Sequence, residues 1–326
     1  RGVPPESIRR FCDMIGVAKA DSVVDVAKLE YAMRDVLNEQ APRALAVLDP
    51  LRVVVTTWPE DGSTQTLEAP IFPDRDDSPR RTLTFGRELW IERDDFAEDP
   101  PKGWKRLAPG TEVRLRNAYV IRCDEVVRDD TGRAVALRCS HDAATLGRNP
   151  EGRRVRGTIH WAGPDSVEAE VRLYDRLFSV ADPNDVPEDG SFIDHLNPHS
   201  LEIVRARVEP ALVAADSVFA AGGPETFRVQ FERLGYFARD AAFTHEAPVF
   251  NRIVTLRDTW GARQRADDAA SGAGADAGAG AGSGAAAGPR AASSARSNGR
   301  AQPASERRVL TPEERISDER RAAREA

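Results

Sequence analysis

KRLAPGTEVRLRNAYVIR, residues Lys105–Arg122, alternates through its second half between Val113, Leu115, Tyr119 and Ile121 and the more polar residues between them. That is the period of a strand, not the 3.6-residue period of a helix. Taken as one strand, residues 111–123 place Arg114, Arg116, Ala118, Val120 and Arg122 on one face. Val113, Leu115, Asn117, Tyr119 and Ile121 share the other. Arginines two residues apart on a strand stand about 6–7 Å apart, a spacing that suits phosphates and base edges, to which guanidinium donates in pairs. The same face would also read as a solvated surface whose charges pair with Glu112 or Asp124.

The charge is local. The whole chain of 326 residues has a net charge of -7, yet residues 102–122 carry six cations against the single Glu112, about +5. Just upstream, PKGWKRLAPG sets Trp104 among Lys102, Lys105 and Arg106. Such a mixture serves where unstacked bases lie on rings and phosphates are neutralised, although a core tryptophan would look the same.

Outward from this stretch, period-two alternation continues. LRVVVTTW, RELWIERDDF, AVALRCSHD, RGTIHWA, EAEVRLYDRLFSV, SLEIVRARV, TFRVQFERLGYF and VFNRIVTLRDTW all read as short strands, separated by turn signals such as DDTG, NPEG and PEDG. About 200 residues of this kind form a mainly β region, a barrel or a sandwich. Helical spacing is confined to the start. Ile8, Phe11, Cys12 and Ile15 repeat after PPES, where Ser7 is the expected cap, and Gly16 stops the run. From Asp21, Val26, Leu29, Met33 and Val36 repeat until the chain reaches Pro42. Past Trp260 the composition becomes Ala, Gly and Ser with almost nothing to bury, which predicts a disordered Ala/Gly-rich tail. Its glycines lack both GK[ST] and G-x-G-x-x-G spacing. TPEERISDERRAAREA, closing the chain, reads as the start of an appended helix.

Three cysteines without CxxC spacing argue against a disulfide framework and for a reducing compartment, the cytoplasm. No run approaches the roughly 18 apolar residues of a spanning helix, so no membrane partner is expected. The chain opens on Arg1 instead of methionine, which we read as the sign of a longer parent. His195 and His199 are four apart, but Pro198 disfavours the helix that would align them on a metal. Cys139 and His141 share a strand face without a second ligand pair, and Asp175–Arg176 reads as structural.

Several of these motifs together resemble a known family. APRALAVLDP, RELWIERDDF, GWKRLAPGTEVRLRNAYVI, RGTIHW, VRLYDRLFSV and NRIVTLRDTW, in this order, are similar to the C-terminal half of bacterial glutaminyl-tRNA synthetases. The resemblance runs from about Gly2 to Trp260. It implies a small helical subdomain over residues 1–40 and a first anticodon-binding β-barrel over 41–146. A second barrel over 147–262 would return its last strands to the first, with linker and extension over 263–326. It also implies roles: Arg43, Gln230 and Arg233 around the middle anticodon base, Arg106 on the third base, and Arg114, Arg116 and Thr259 around the first base and its phosphate. Lys19 would lie near the inner corner of the tRNA. The family's glutamine after that lysine is Ala20 here and another is Gly103, departures that bear on peripheral contacts and not on the pockets.

The implied parent is an ATP-dependent ligase joining L-glutamine to tRNA(Gln), monomeric, with Mg accompanying ATP. Neither ATP-binding motif of such enzymes, of the H-I-G-H and K-M-S-K-S kinds, occurs in these residues, so no catalytic residue, metal site or cofactor is expected within them. Glutamyl-tRNA synthetases of the eukaryotic and archaeal type share the barrels and are the nearest alternative, with VRLRNAYVI as the discriminating run. A non-enzymatic RNA-binding barrel protein is the other.

Overall fold

A computed structural model describes residues 1–17, 19, 23–187, 189–219 and 226–257. Thr259, the Ala/Gly-rich stretch and the expected C-terminal helix lie outside the described residues.

Two α-helices open the chain. Helix α1 (Pro5–Ile15) begins earlier than expected, with Pro4 as its N-cap and Pro5 as its first residue, so Ser7 lies inside it, buried. Proline is tolerated there because the first N–H of a helix has no partner to lose. Gly16 ends α1, at φ 67°, by donating its N–H to Cys12 O. Helix α2 (Val26–Gln40) is capped by Asp25, whose carboxylate accepts from Ala27 N at 2.8 Å. Its buried face, Met33, Val36 and Leu37 with Ala32, is the periodic one. Met33 and Leu37 pack on Tyr236, Ala238, Ile253 and Val254.

The strands are β1 (Arg43–Ala44), β2 (Ala46–Val47), β3 (Pro50–Val55), β4 (Gln65–Pro70), β5 (Arg80–Phe85), β6 (Glu88–Glu92), β7 (Glu112–Leu115) and β8 (Val120–Arg128). There follow β9 (Ala134–Asp142), β10 (Thr158–Ile159), β11 (Trp161–Ala162), β12 (Val167–Tyr174), β13 (Leu201–Val208), β14 (Arg228–Phe231), β15 (Gly235–Arg239) and β16 (Val249–Thr255). One sheet runs β10-β7-β8-β9-β3-β6-β11 and another β1-β14-β15-β16-β12-β13-β2. In each, the two outermost strands are consecutive pieces of one segment, parted by a single residue: His160 in the first and Leu45 in the second. Both sheets therefore close on themselves as nearly complete barrels, each sealed by a segment distant in sequence from most of its other strands. The hairpin β4–β5 turns Leu67, Leu83 and Phe85 into the first barrel's core beside Leu51, Leu89, Val113, Ile121 and Trp161. The second core is built on Val171, Val208, Val229 and Phe250, with Phe231 stacked on Phe237 at 4.2 Å between ring centroids.

Two runs expected to be single strands are hairpins. In TEVRLRNAYVIRC the chain reverses between β7 and β8, with Leu115 N donating to Tyr119 O at 2.9 Å. Asn117 sits at φ 57°, a left-handed conformation asparagine adopts more readily than most residues. The second run, TFRVQFERLGYF, reverses at Arg233, φ 71°, between β14 and β15. Register places Glu112 opposite Arg122 and Arg114 opposite Val120, so these four share one face, while Arg116 and Ala118 belong to the turn and not to that face.

The turn at Asn117 makes a specific demand on the backbone. Asn117→Val should lower the unfolding free energy by about 1–2 kcal/mol, because a β-branched residue resists positive φ. Asn117→Gly should stay within about 1 kcal/mol of the parent protein. Urea unfolding of both variants checks the pair; equal stability would mean the turn places no such demand.

Candidate nucleic-acid interface

The turn after β6, a 3-10 turn over Arg93–Asp95, buries the Asp95 carboxylate to 1% exposure. Leu107 N donates to Asp95 O at 2.9 Å, which pins the Trp104–Leu107 stretch beside that turn and brings Arg106 to the carboxylate, Nε to Oδ1 at 3.2 Å. From the other barrel, Arg233 closes on the same carboxylate in a bidentate pair, Nη2 to Oδ1 at 2.7 Å and Nη1 to Oδ2 at 2.5 Å. The positive φ of Arg233 is the backbone distortion that accompanies this reach. Arg233 Nη1 also meets His160 Nδ1 at 3.1 Å. Guanidinium only donates, so that ring nitrogen accepts and Nε2 donates to Glu92 Oε1, 3.2 Å away. Glu92 in turn accepts from Leu48 N and Asp49 N at 2.6 and 3.1 Å. Burial works to raise the Glu92 pKa, but the hydrogen bonds from His160 and the two amides outweigh it and leave it below the usual carboxylate value.

A second chain of charges starts at Glu209. It accepts from Leu45 N at 2.6 Å and from Arg81 Nε at 2.8 Å. Arg81, whose side chain is fully buried, extends Nη2 to within 3.5 Å of Glu232, and Glu232 pairs with Arg116. Burial raises the Glu209 pKa, with the nearby Glu232 adding to the rise and Arg81 and the Leu45 amide opposing it. Arg116 remains 40% exposed at its side chain, and its carbonyl accepts from Trp161 Nε1 at 2.9 Å.

The remaining expected residues divide. Arg43 lies opposite Gln230 in the parallel pairing of β1 with β14. Arg43 is buried, at 7% exposure, and donates to Asn38 O at 2.9 Å, to Asn38 Oδ1 at 3.1 Å and to Ala41 O. These are carbonyls at the C-terminal end of α2, which a helix leaves unpaired, so the guanidinium closes the helix end. Gln230 Oε1 is buried without a hydrogen-bond partner among the described residues. Arg114 is likewise no free cation; it donates to Thr145 O at 2.9 Å, to Arg148 O at 2.5 Å and, at 3.4 Å, to Ala118 O and Asn149 Oδ1. Lys19 is exposed between α1 and α2, apart from the group. Trp104 is half-buried, with Nε1 donating to Leu107 O at 3.0 Å and the Arg106 guanidinium 5.5 Å from its ring.

Asp95, Glu232, Glu209, Arg81 and His160 were not singled out from the sequence. Only Arg81 left a signal there: in RRTLTF it alternates with Leu83 and Phe85, a charge on an apolar face. Among the weighed constellations, His195 Nε2 lies 3.3 Å from Asp185 O, His141 meets Thr57 Oγ1, and Arg176 pairs with Glu30. Among the described residues, no group of three or more His, Cys, Asp or Glu is placed to hold a metal ion. No helix among them is long and apolar enough to cross a membrane.

Two closed barrels whose arginines converge at their junction have a counterpart among known proteins. Residues 41–142 and 158–240 match the anti-codon binding domains of class I tRNA synthetases (E and Q). The chain belongs to this family of anticodon-binding domains, and within it the similarity is to glutamine–tRNA ligases. The protein of that name from Pseudomonas putida is 53% identical over 265 residues, 80% of this chain and 45% of its own length. Those from Pseudomonas aeruginosa and Azotobacter vinelandii are 54% and 52% identical over 264 residues, 80% of this chain and 46% of theirs. The chain spans about half the length of the curated relatives it matches.

Two substitutions separate structure from recognition here. Arg43→Ala should cost about 1–3 kcal/mol of folding stability by leaving the α2 carbonyls without donors, and thermal or urea unfolding reads this directly. Glu92→Gln tests the buried carboxylate through pH. Because the folded-state pKa of Glu92 lies below the unfolded value of about 4.3, its contribution is full above that value and fades as pH falls toward the folded one. The stability difference between parent and variant should therefore shrink from about pH 6 to about pH 3. A difference independent of pH would remove Glu92 from the acid response.

Proposed function

We propose that the chain is the anticodon-reading part of a glutamine–tRNA ligase, a cytoplasmic, monomeric enzyme that joins L-glutamine to tRNA(Gln) with ATP. Arg106 reads the third anticodon base, while Arg43, Gln230 and Arg233 form the pocket of the middle one. Arg116, with Arg114 and Thr259, serves the first base, and Lys19 the inner corner of the tRNA. The helical part takes residues 1–40 and the two barrel units take 41–146 and 147–262, each barrel being completed by a short segment from the other unit, 158–162 in the first and 43–47 in the second. The observation that carries this reading is the meeting of Arg106 and Arg233, from different barrels, on the single buried carboxylate of Asp95. Residues assigned to neighbouring bases stand on one anchor, with their heads only partly exposed, at 43% and 29%.

Recognition then works by preorganisation. Asp95 takes two N–H donors of Arg233 and pairs with Arg106 Nε, while Arg106 Nη1 donates to Asp94 O at 2.8 Å, so both guanidinium groups are held and their other donors are left for a base edge at little ordering cost. Unstacked anticodon bases expose the edges such donors read. The buried Gln230 Oε1 supplies an acceptor without a protein partner among the described residues. ATP and its Mg would belong to the remainder of the enzyme.

The test is affinity of the chain for tRNA(Gln) transcripts with the natural anticodon and with second- or third-base changes. Arg106→Ala should cost about 1–3 kcal/mol on the natural anticodon and much less on the third-base variant. Uniform weakening across all transcripts would reject base reading by this arginine. Arg106 suits this test better than Arg43, whose loss also removes the α2 contacts.

A further inference from the structure

Between the segment Pro100–Thr111 and the loop Arg153–Gly157 lies a cleft of about 510 Å3, which no role named so far occupies as a whole. Lys105, Arg106, Arg122, Arg153, Arg154 and Arg156 line it, against one carboxylate, Glu112. The pairing inside the cleft is uneven. Arg153 takes up Glu112 at 2.9 Å and reaches Asp142 at 2.6 Å, and Arg106 is held by Asp95. Arg122 has only Gly110 O at 3.3 Å and Asp124 at 3.9 Å. Lys105, Arg154 and Arg156 are exposed and make no ion pair or side-chain hydrogen bond among the described residues.

The walls are built, not incidental. A Cβ on Gly157 would stand 1.7 Å from Lys105 O, so only glycine lets the loop backbone lie directly on the backbone of the opposite wall. Gly157 O accepts from Arg114 N at 2.9 Å, and Thr158 pairs with Arg114 across β10 and β7. The Arg114 guanidinium, bound to Thr145 O, Arg148 O and Asn149 Oδ1, ties down the chain that leads into the same loop. Arg114 thus holds one wall of the cleft through the loop carbonyls it binds. Like charges converging without counter-charges repel one another, an arrangement that a polyanion relieves.

We propose that this cleft binds the sugar–phosphate backbone of RNA through Lys105, Arg154 and Arg156, with Arg122 at its edge, without reading sequence. The inference rests on the reading that the chain binds tRNA, and it assigns the sequence-independent share of that binding to this surface.

The experiment compares the full chain with the Arg154→Ala/Arg156→Ala double variant and with Arg154→Lys/Arg156→Lys. Affinity for tRNA(Gln) with natural and altered anticodons is measured over a range of salt concentrations, with circular dichroism as the check on folding. Each phosphate contact contributes about 0.7–0.9 to the slope of log affinity against log salt. The alanine variant should therefore lose between about one and two units of slope and weaken every transcript by the same factor, keeping the ratio between anticodons. The lysine variant should keep the slope, because charge and not bidentate geometry is used. An unchanged slope in a folded alanine variant overturns the inference and leaves anticodon reading standing if the ratio between transcripts persists. Loss of slope in a chain that never distinguished the anticodons supports the cleft and rejects base reading. Displacement of tRNA by inorganic phosphate at constant ionic strength would also overturn it, by marking a discrete anion site instead of a strand-binding cleft.

Discussion

The chain passes from one barrel to the other between Val47 and Pro50, and a backbone that leaves one sheet before joining the next has amide groups that no ladder can take. Leu48 and Asp49 are those residues here, and the buried Glu92 receives both, while Glu209 receives Leu45 N at the break between β1 and β2. An unmet buried N–H is costly enough that such segments almost always find a partner. A buried carboxylate is costly in its turn unless cations or hydrogen-bond donors meet it. Arg81 answers Glu209, and His160 answers Glu92. The chain of contacts then runs outward, through Glu232 to Arg116 and through Arg233 and Asp95 to Arg106. The arginines that could face RNA are the outer ends of polar chains whose inner ends satisfy the crossover and the strand break just before it.

This arrangement sorts the basic side chains by how much of each the protein uses itself. Arg43 and Arg114 are spent on carbonyl oxygens of α2 and of the loop after β9. Arg106, Arg116 and Arg233 are oriented by a buried carboxylate while part of each remains exposed, which is what a base edge with fixed geometry needs. Lys105, Arg154 and Arg156 are unengaged among the described residues, which suits a phosphate whose position varies with the strand. The gradation separates candidates for specificity from candidates for general affinity by hydrogen bonding, without reference to their order along the chain.

Much of the fold was legible because it depends on local pattern. The period of two, the helix stop at Gly16 and the apolar face of α2 follow from side-chain spacing, and family motifs pointed to the arginines and Gln230. The family resemblance implied two barrels, but which segments close them was not legible. Closure rests on segments of two residues each, parted by Leu45 and His160, whose partners lie far along the chain. The hairpins at Asn117 and Arg233 were hidden for a different reason. Register returns Arg122 to the same face as Arg114, so alternation continues undisturbed through the reversal. Asn117 was the residue that could have revealed it, as a non-glycine at ease with positive φ. The buried carboxylates left no pattern at all, since Asp95 and Glu232 look like any acidic residue at the end of a strand. Their role exists only once two barrels meet.

The proposal that an acidic chain binds a polyanion holds no contradiction once distance is considered. The net charge of -7 is spread over the whole molecule, and part of its negative charge, on Glu92, Asp95, Glu209 and Glu232, lies buried against arginine and histidine. At physiological salt the field of an exposed charge fades over about 8 Å. The cleft lining is six cations and one carboxylate, which Arg153 already holds, and the nearest acidic groups behind it, Asp142, Asp95 and Asp124, each stand against a lining arginine. Salt therefore acts twice: it weakens each phosphate contact, and it hides the distant acidic surface that would otherwise oppose the approach of RNA. What RNA would meet at the junction is decided by which carboxylates the barrels keep inside.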